Sequence, residues 1–132
     1  MTLIDTLPEN LIIHGDWEQL RVWIDGTELL PTDSLTIRNH SQDFSWGYAG
    51  SGPSQLSLAI LLLYLPLEAA KVLYQTFKHG VVSKWPQADF SVVLNVRGVI
   101  EKISRDNEFI IERLKELIYG RDGKRGEGYW QT

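Results

Sequence analysis

The residues of this 132-residue chain whose types and spacing could do chemistry converge on one loop. Gly47-Tyr48-Ala49-Gly50-Ser51-Gly52-Pro53-Ser54 has the spacing G-x-x-x-x-G-x-S of a phosphate-binding loop. Such loops work because successive main-chain N–H groups and a helix N-terminus face the anion. Pro53, however, stands where the phosphate-binding lysine belongs, and no strong apolar strand precedes the motif, so an NTPase is not expected. A simpler nucleotide or oxyanion site stays open, in which Trp46 and Tyr48 offer ring faces to a base or sugar. Its candidate ligand-binding residues are Arg38, Trp46, Gly47, Tyr48, Gly50, Ser51, Gly52 and Ser54. The competing reading is architectural: the glycines let the main chain run close to a core that the aromatic rings fill.

Covalent catalysis finds little to work with. Ser51 lies in a Gly-Ser-Gly turn, but Ala49 and Pro53 flank it, so the G-x-S-x-G nucleophile elbow is not met. His40 and Asp43 can be drawn into a triad with Ser51 on paper, whereas capping and turn roles explain each of them more simply. His14, His40 and His79 lack metal-ligand spacing, so neither a metal nor another cofactor is assigned.

Composition narrows the class. The chain is 43% apolar and 23% charged, ordinary for a globular protein, and its length suits a single domain with a real core. It has no cysteine, which excludes disulfides and thiolate metal sites and suits a reducing compartment. No basic segment leads into an apolar block at the N-terminus, and the longest apolar run stops short of the roughly 20 residues of a membrane span. A cytoplasmic location without membrane attachment is the expectation. The net charge is −4, and residues 1–34 carry Asp5, Glu9, Asp16, Glu18, Asp25, Glu28 and Asp33 against Arg21 alone. That front end argues against nucleic-acid binding and suits a basic protein partner, with Asp16, Glu18, Asp25 and Glu28 as candidate contacts. A merely solubilising segment would look the same.

These residues need elements to hold them. Pro53 suits a first helical position with Ser51 or Gly52 as N-cap, and the run from Leu56 to Leu65 is broken only by Ser57 and Tyr64. A helix apolar on nearly every side is a buried one. Upstream, Leu11-Ile12-Ile13 suits a short strand, and Leu20–Ile24 alternates before Asp25-Gly26, the sequence of a type I′ hairpin turn, with Thr27–Leu30 returning. Leu35–Asn39 alternates as well and predicts a third strand. Downstream, Pro66 opens a second helix running to about Lys84, where Trp85-Pro86 closes it. Phe90–Leu94 is β-like, Asn95 caps a third helix, and its apolar face continues through Ile110, Leu114, Leu117 and Ile118 to a Gly120 C-cap. The expected architecture is α+β, a small N-terminal antiparallel sheet (a hairpin plus one or two strands) packed against three helices around a buried central one. Residues 1–18 read as an N-terminal extension, 19–119 as a single domain and 120–132 as a flexible tail. The stripe from Val96 to Ile118 either packs on the core helix or forms a dimer seam.

The segments Val22-Trp23-Ile24-Asp25-Gly26, Asn39-His40-Ser41, Phe44 to Pro53, Gln55-Leu56 and Tyr74-Gln75-x-Phe77-Lys78 resemble a family of short bacterial and phage proteins. That family has a WGYGGSGPxQLALAIL-type signature and is known as a domain of unknown function. The match covers roughly residues 20–103 and departs at Ala49, where the pattern has glycine. The resemblance implies a shared fold and a mobile-element setting. It supplies no activity and no catalytic residues. Two functions are therefore expected to compete: a non-enzymatic binding protein that inhibits or regulates a host protein, and a small-molecule binder using the loop 47–54.

Overall fold

The computed structural model describes residues 3–106 together with residue 116. The expected continuation of the last helix, its Gly120 cap, the domain limit at 119, the tail and half of the dimer seam fall outside the described residues. The fold is α+β. A short helix α1 (Leu3–Thr6) leads into strands β1 (Leu11–Asp16), β2 (Arg21–Ile24) and β3 (Thr27–Leu29). Helices α2 (Thr32–Ile37), α3 (Ser51–Leu62) and α4 (Leu67–Gly80) follow, then a 3-10 turn at Val82–Lys84, strand β4 (Phe90–Leu94) and helix α5 (Val96–Asp106).

The sheet is antiparallel with strand order β3-β2-β1-β4. Its tight hairpin forms as the Asp-Gly signal predicts: Asp25 and Gly26 have φ of 49° and 85°, and Ile24 faces Thr27 across the turn. Ile13 faces Ile24 on one side and Val92 on the other, while Leu11 faces Leu94, so alternate residues form one inward apolar face. The opposite face carries Ile12 beside Val93, and His14 between Trp23 and Ser91. The sheet is thus completed by a strand that arrives after the helices, beside β1 and not beside the hairpin's far edge.

The third strand expected at Leu35–Asn39 does not form. Residues 32–37 form helix α2, because the Pro-Thr-Asp-Ser start outweighs a brief alternation. The Ser34 hydroxyl donates to the Pro31 carbonyl at 2.8 Å and the Thr36 hydroxyl to Asp33 O at 2.7 Å, closing the helical turn locally. With Pro31 ending β3 after three residues, no long strand remains for Leu35 and Ile37 to pair with.

Helix α3 is the buried centre. Every residue from Gly52 to Leu61 is buried, the apolar residues from Leu56 on as expected and Ser54, Gln55 and Ser57 with them. The N-cap is Gly50, so Pro53 is the third helical residue and not the first; its missing N–H still falls in the turn where no acceptor exists. Helix α4 is amphipathic, with Ala70, Leu73, Tyr74 and Phe77 buried against α3. It ends at Gly80, short of the expected Lys84, and the chain tightens into the 3-10 turn before Trp85-Pro86. Asn95 caps α5 as expected, its Oδ1 accepting the Gly98 N–H at 2.9 Å. Arg97 then reaches back to α1: it donates to the Leu7 carbonyl at 2.9 Å and to Asp5 O at 3.1 Å, satisfying carbonyls that end that helix.

Candidate functional site

The glycine-rich loop turns inward. Trp46 is fully buried, with its indole N–H donating to Ala88 O at 3.0 Å. Its ring meets Trp17 and Phe90 edge-on at 5.4 and 5.1 Å, an arrangement favoured by ring quadrupoles, so neither face is offered to solvent. Gly47 has a φ of 85°, donates to Val82 O at 3.1 Å and accepts from the Gln87 side chain at 3.0 Å. A Cβ there would stand 2.8 Å from the Trp85 carbonyl. The Ser45 and Tyr48 hydroxyls share a hydrogen bond of 2.8 Å, with the Ser45 side chain lying directly against Gly52 and the Tyr48 ring against Gly50. Ser54 is buried and donates to Gly50 O at 3.0 Å. Of the eight candidate ligand-binding residues, then, Trp46, Gly47, Gly50, Gly52 and Ser54 serve close internal packing or hydrogen bonds. Arg38, Tyr48 and Ser51 are exposed, Tyr48 at 43%.

The triad drawn on paper is not assembled. His40 Nε2 lies 2.7 Å from the Tyr74 hydroxyl of α4, and the Asp43 N–H donates to Ser41 Oγ at 3.2 Å. Among the described residues no hydrogen bond joins either to Ser51, and no group of three or more metal-ligating side chains is found.

What organises this corner is Gln55, which in the sequence stands only as one position of the motif. Its side chain is fully buried and fully used. Oε1 accepts the His40 N–H at 2.8 Å and the Ser41 N–H at 3.3 Å, while Nε2 donates to Ser34 Oγ at 2.8 Å and Arg38 O at 3.0 Å. One amide thereby ties α2 and the segment 38–41 to the central helix. A glutamine one turn into an otherwise apolar helix was the available signal.

A second surface lies on the other side of α2. Two hollows, of about 380 and 230 Å³, open between β3, α2 and the α3–α4 turn, and share Leu29 and Leu63. The larger is walled by Leu29, Leu30, Ile37, Leu62, Leu63 and Leu67; Leu30, Leu63 and Leu67 are 59%, 51% and 45% exposed. The smaller is walled by Ile24, Thr27 and Tyr64. The acids lining them are Asp25, Glu28 and Asp33, and neither hollow is lined by a lysine or arginine. Burial first, and the Asp25 charge second, hold the Tyr64 hydroxyl above the ordinary tyrosine range. Glu28 is held below the usual carboxylate range, chiefly by its hydrogen bonds from Arg21 at 2.7 and 2.8 Å. Asp25 Oδ1 accepts the Ile12 N–H at 2.8 Å.

The four candidate partner contacts therefore divide. Asp25 and Glu28 line the groove. Asp16 and Glu18 sit at the opposite end of the sheet, where Asp16 faces Arg21 and its carboxylate takes the Gln19 N–H at 3.0 Å. The groove leucines are hidden in the sequence because Leu63 continues the apolar run of the core helix. The signal was there in Leu29-Leu30-Pro31 and Leu63-Tyr64-Leu65-Pro66-Leu67, where apolar residues persist past the elements that could bury them.

Neither the search of curated proteins nor that of solved structures gives a match. A family model does match, over residues 14–105, reaching from inside β1 almost to the end of α5. The chain belongs to that family, described as a family of unknown function (DUF6166).

Proposed function

We propose that this chain is a non-enzymatic protein-binding domain whose contact surface is the acid-lined groove between β3, α2 and the α3–α4 turn. The observation that carries the reading is the trio Leu30, Leu63 and Leu67, exposed side by side around one hollow. Contiguous exposed apolar surface rimmed by polar groups marks an interaction site, because leaving it in water is costly. The commitment of most of the glycine-rich loop to internal packing supports the same reading. The resemblance of the Phe44–Pro53 motif to phage and bacterial proteins supports a role as an inhibitor or regulator of a host protein, in the cytoplasm.

The test is affinity capture from bacterial lysate with the wild-type chain, Leu63→Lys and a control, Val93→Lys, on the far face of the sheet. Proteins retained by wild type and control but lost with Leu63→Lys support the groove. The same set from all three baits sinks it. The alternative, a small anion at loop 47–54, is supported by the exposure of Arg38, Tyr48 and Ser51. A thermal-shift screen with nucleotides and oxyanions tests it, since a ligand of the folded state raises the melting temperature.

A further inference from the structure

From the edge geometry of β3 we infer that the groove's partner is an extended, basic-and-apolar segment that adds to the sheet as a fifth strand. The inference rests on the groove being the contact surface, as proposed above, and names what occupies it. Strand β3 is an edge of the sheet. In a two-residue hairpin the residues flanking the turn, Ile24 and Thr27, exchange main-chain hydrogen bonds, and so do Val22 and Leu29 two steps on. Glu28 lies between them, so its N–H and C=O turn outward to the free edge. An incoming antiparallel or parallel strand can take both.

The side chains agree. Thr27 and Leu29 face inward with Ile24 and Val22, whereas Glu28 faces outward opposite Trp23. The two hollows follow β3 in sequence, the smaller lined by Thr27–Leu29 and the larger by Leu29–Leu30. A strand laid beside β3 sends alternate side chains inward about 7 Å apart. Two successive inward residues of such a strand would enter the two hollows on either side of Leu29, against Leu63. That is the division of labour in strand addition, where the main chain supplies affinity and alternate side chains supply selectivity.

Charge sets the rest of the pattern. The carboxylates lining the hollows are Asp25, Glu28 and Asp33, of which Glu28 is already paired with Arg21 at 2.7 Å. Asp25 and Asp33 form no ion pair among the described residues, so lysine or arginine side chains of the partner that reach round the ends of the groove would meet them, while an acidic segment would meet like charge. Aliphatic residues in and basic residues out is the recognised sequence.

The experiment measures binding of the full chain to labelled synthetic peptides, about ten residues long, by fluorescence anisotropy. One peptide alternates leucine and lysine, a second alternates leucine and glutamate, and a third is a lactam-stapled helical peptide of the same composition as the first. Two further versions of the first are N-methylated on alternate residues, one in each register. The Leu/Lys peptide is expected to bind at least about tenfold more tightly than the Leu/Glu and stapled peptides, and to lose about tenfold with Leu63→Lys and with Asp33→Lys. N-methylation in the register that pairs with Glu28 should abolish binding, while the other register is tolerated. Indifference to N-methylation in both registers, or equal binding of the stapled or Leu/Glu peptide, overturns the inference. If none of these peptides binds while lysate capture still depends on Leu63, the groove stands and the extended basic partner falls. If capture is independent of Leu63 as well, both fall.

Discussion

Replacing Gln55 by methionine, nearly equal in volume, isolates the work of one buried amide. The change removes the acceptor of the His40 and Ser41 N–H groups and the donor to Ser34 Oγ and Arg38 O. Ser34 is the least affected, because its own hydroxyl still donates to Pro31 O at 2.8 Å. The Ser41 contact, at 3.3 Å, is long and contributes little. Two well-made main-chain bonds are left without partners, at His40 N–H and Arg38 O. An orphaned buried group costs about 1–3 kcal/mol, and since segment 38–41 borders solvent the lower half of that range applies to each of the two, giving a loss of about 2–4 kcal/mol. For a domain near 100 residues that corresponds to a fall of roughly 10–20 °C in Tm. The assay is urea unfolding followed through tryptophan fluorescence, with Trp46 and Trp85 as buried reporters, together with amide exchange at His40 and Ser41. A local opening predicts that those two amides exchange faster while β1 amides track the global change. A loss below about 0.5 kcal/mol with unchanged exchange at His40 would refute the assignment of Gln55 as the tie between α2 and α3.

Gly47→Ala and Gly26→Ala separate conformational strain from collision. Both sites have a φ of 85°, but a Cβ at Gly26 meets nothing, whereas at Gly47 it approaches the Trp85 carbonyl. Gly26→Ala should cost about 1 kcal/mol and Gly47→Ala at least about 2 kcal/mol in urea unfolding; equal costs would remove the packing term. Gly52→Ala should destabilise by about 1–3 kcal/mol through the Ser45 side chain, and Ser45→Gly should recover part of that loss in the double variant; strict additivity would mean that the two do not collide. Tyr64, whose folded pKa is raised, favours the folded state fully below the unfolded tyrosine value and loses that contribution as pH rises through the folded one. Its ultraviolet titration should therefore have a midpoint above that of free tyrosine, which Asp25→Asn lowers only in part, burial being the larger cause. A midpoint at the free value would remove Tyr64 from the wall of the smaller hollow.

The parts of the fold that were legible in the sequence are those fixed by local chemistry. Asp25-Gly26 dictates its turn through two positive φ angles, Pro66 and Asn95 mark helix starts, and the apolar run from Leu56 to Leu61 is buried as its composition requires. Leu35–Ile37 misled because two apolar residues one apart satisfy a strand pattern, while the helix there is closed by the hydroxyls of Ser34 and Thr36, two side chains with no periodic signature. At the candidate loop the glycines and rings were legible as a motif, but their direction was not. Whether Trp46 stacks on a ligand or fills the core depends on Trp17 and Phe90, which approach from other parts of the chain. The groove was illegible for the same reason. Its walls come from β3, α2 and the α3–α4 turn, and only the folded arrangement puts Leu29, Leu30, Leu63 and Leu67 around one space.

The pairing of β1 with β4 joins residues near the start of the chain to residues some eighty positions later, Leu11 to Leu94 among them. Contacts so distant along a chain slow folding, because the loop between them must be closed before the pairing rewards it. On the ribosome the hairpin β2–β3 and the apolar helix α3 emerge well before the strand that completes the sheet. Until Phe90–Leu94 appear, β1 has a partner on one side only, and the greasy helix has three of the four strands to cover it. At roughly 5–20 residues per second that interval lasts seconds. The architecture therefore makes this protein a candidate client for nascent-chain chaperones, and chains stalled between Gly80 and Phe90 should be protease-sensitive where those extended past Asp106 are not.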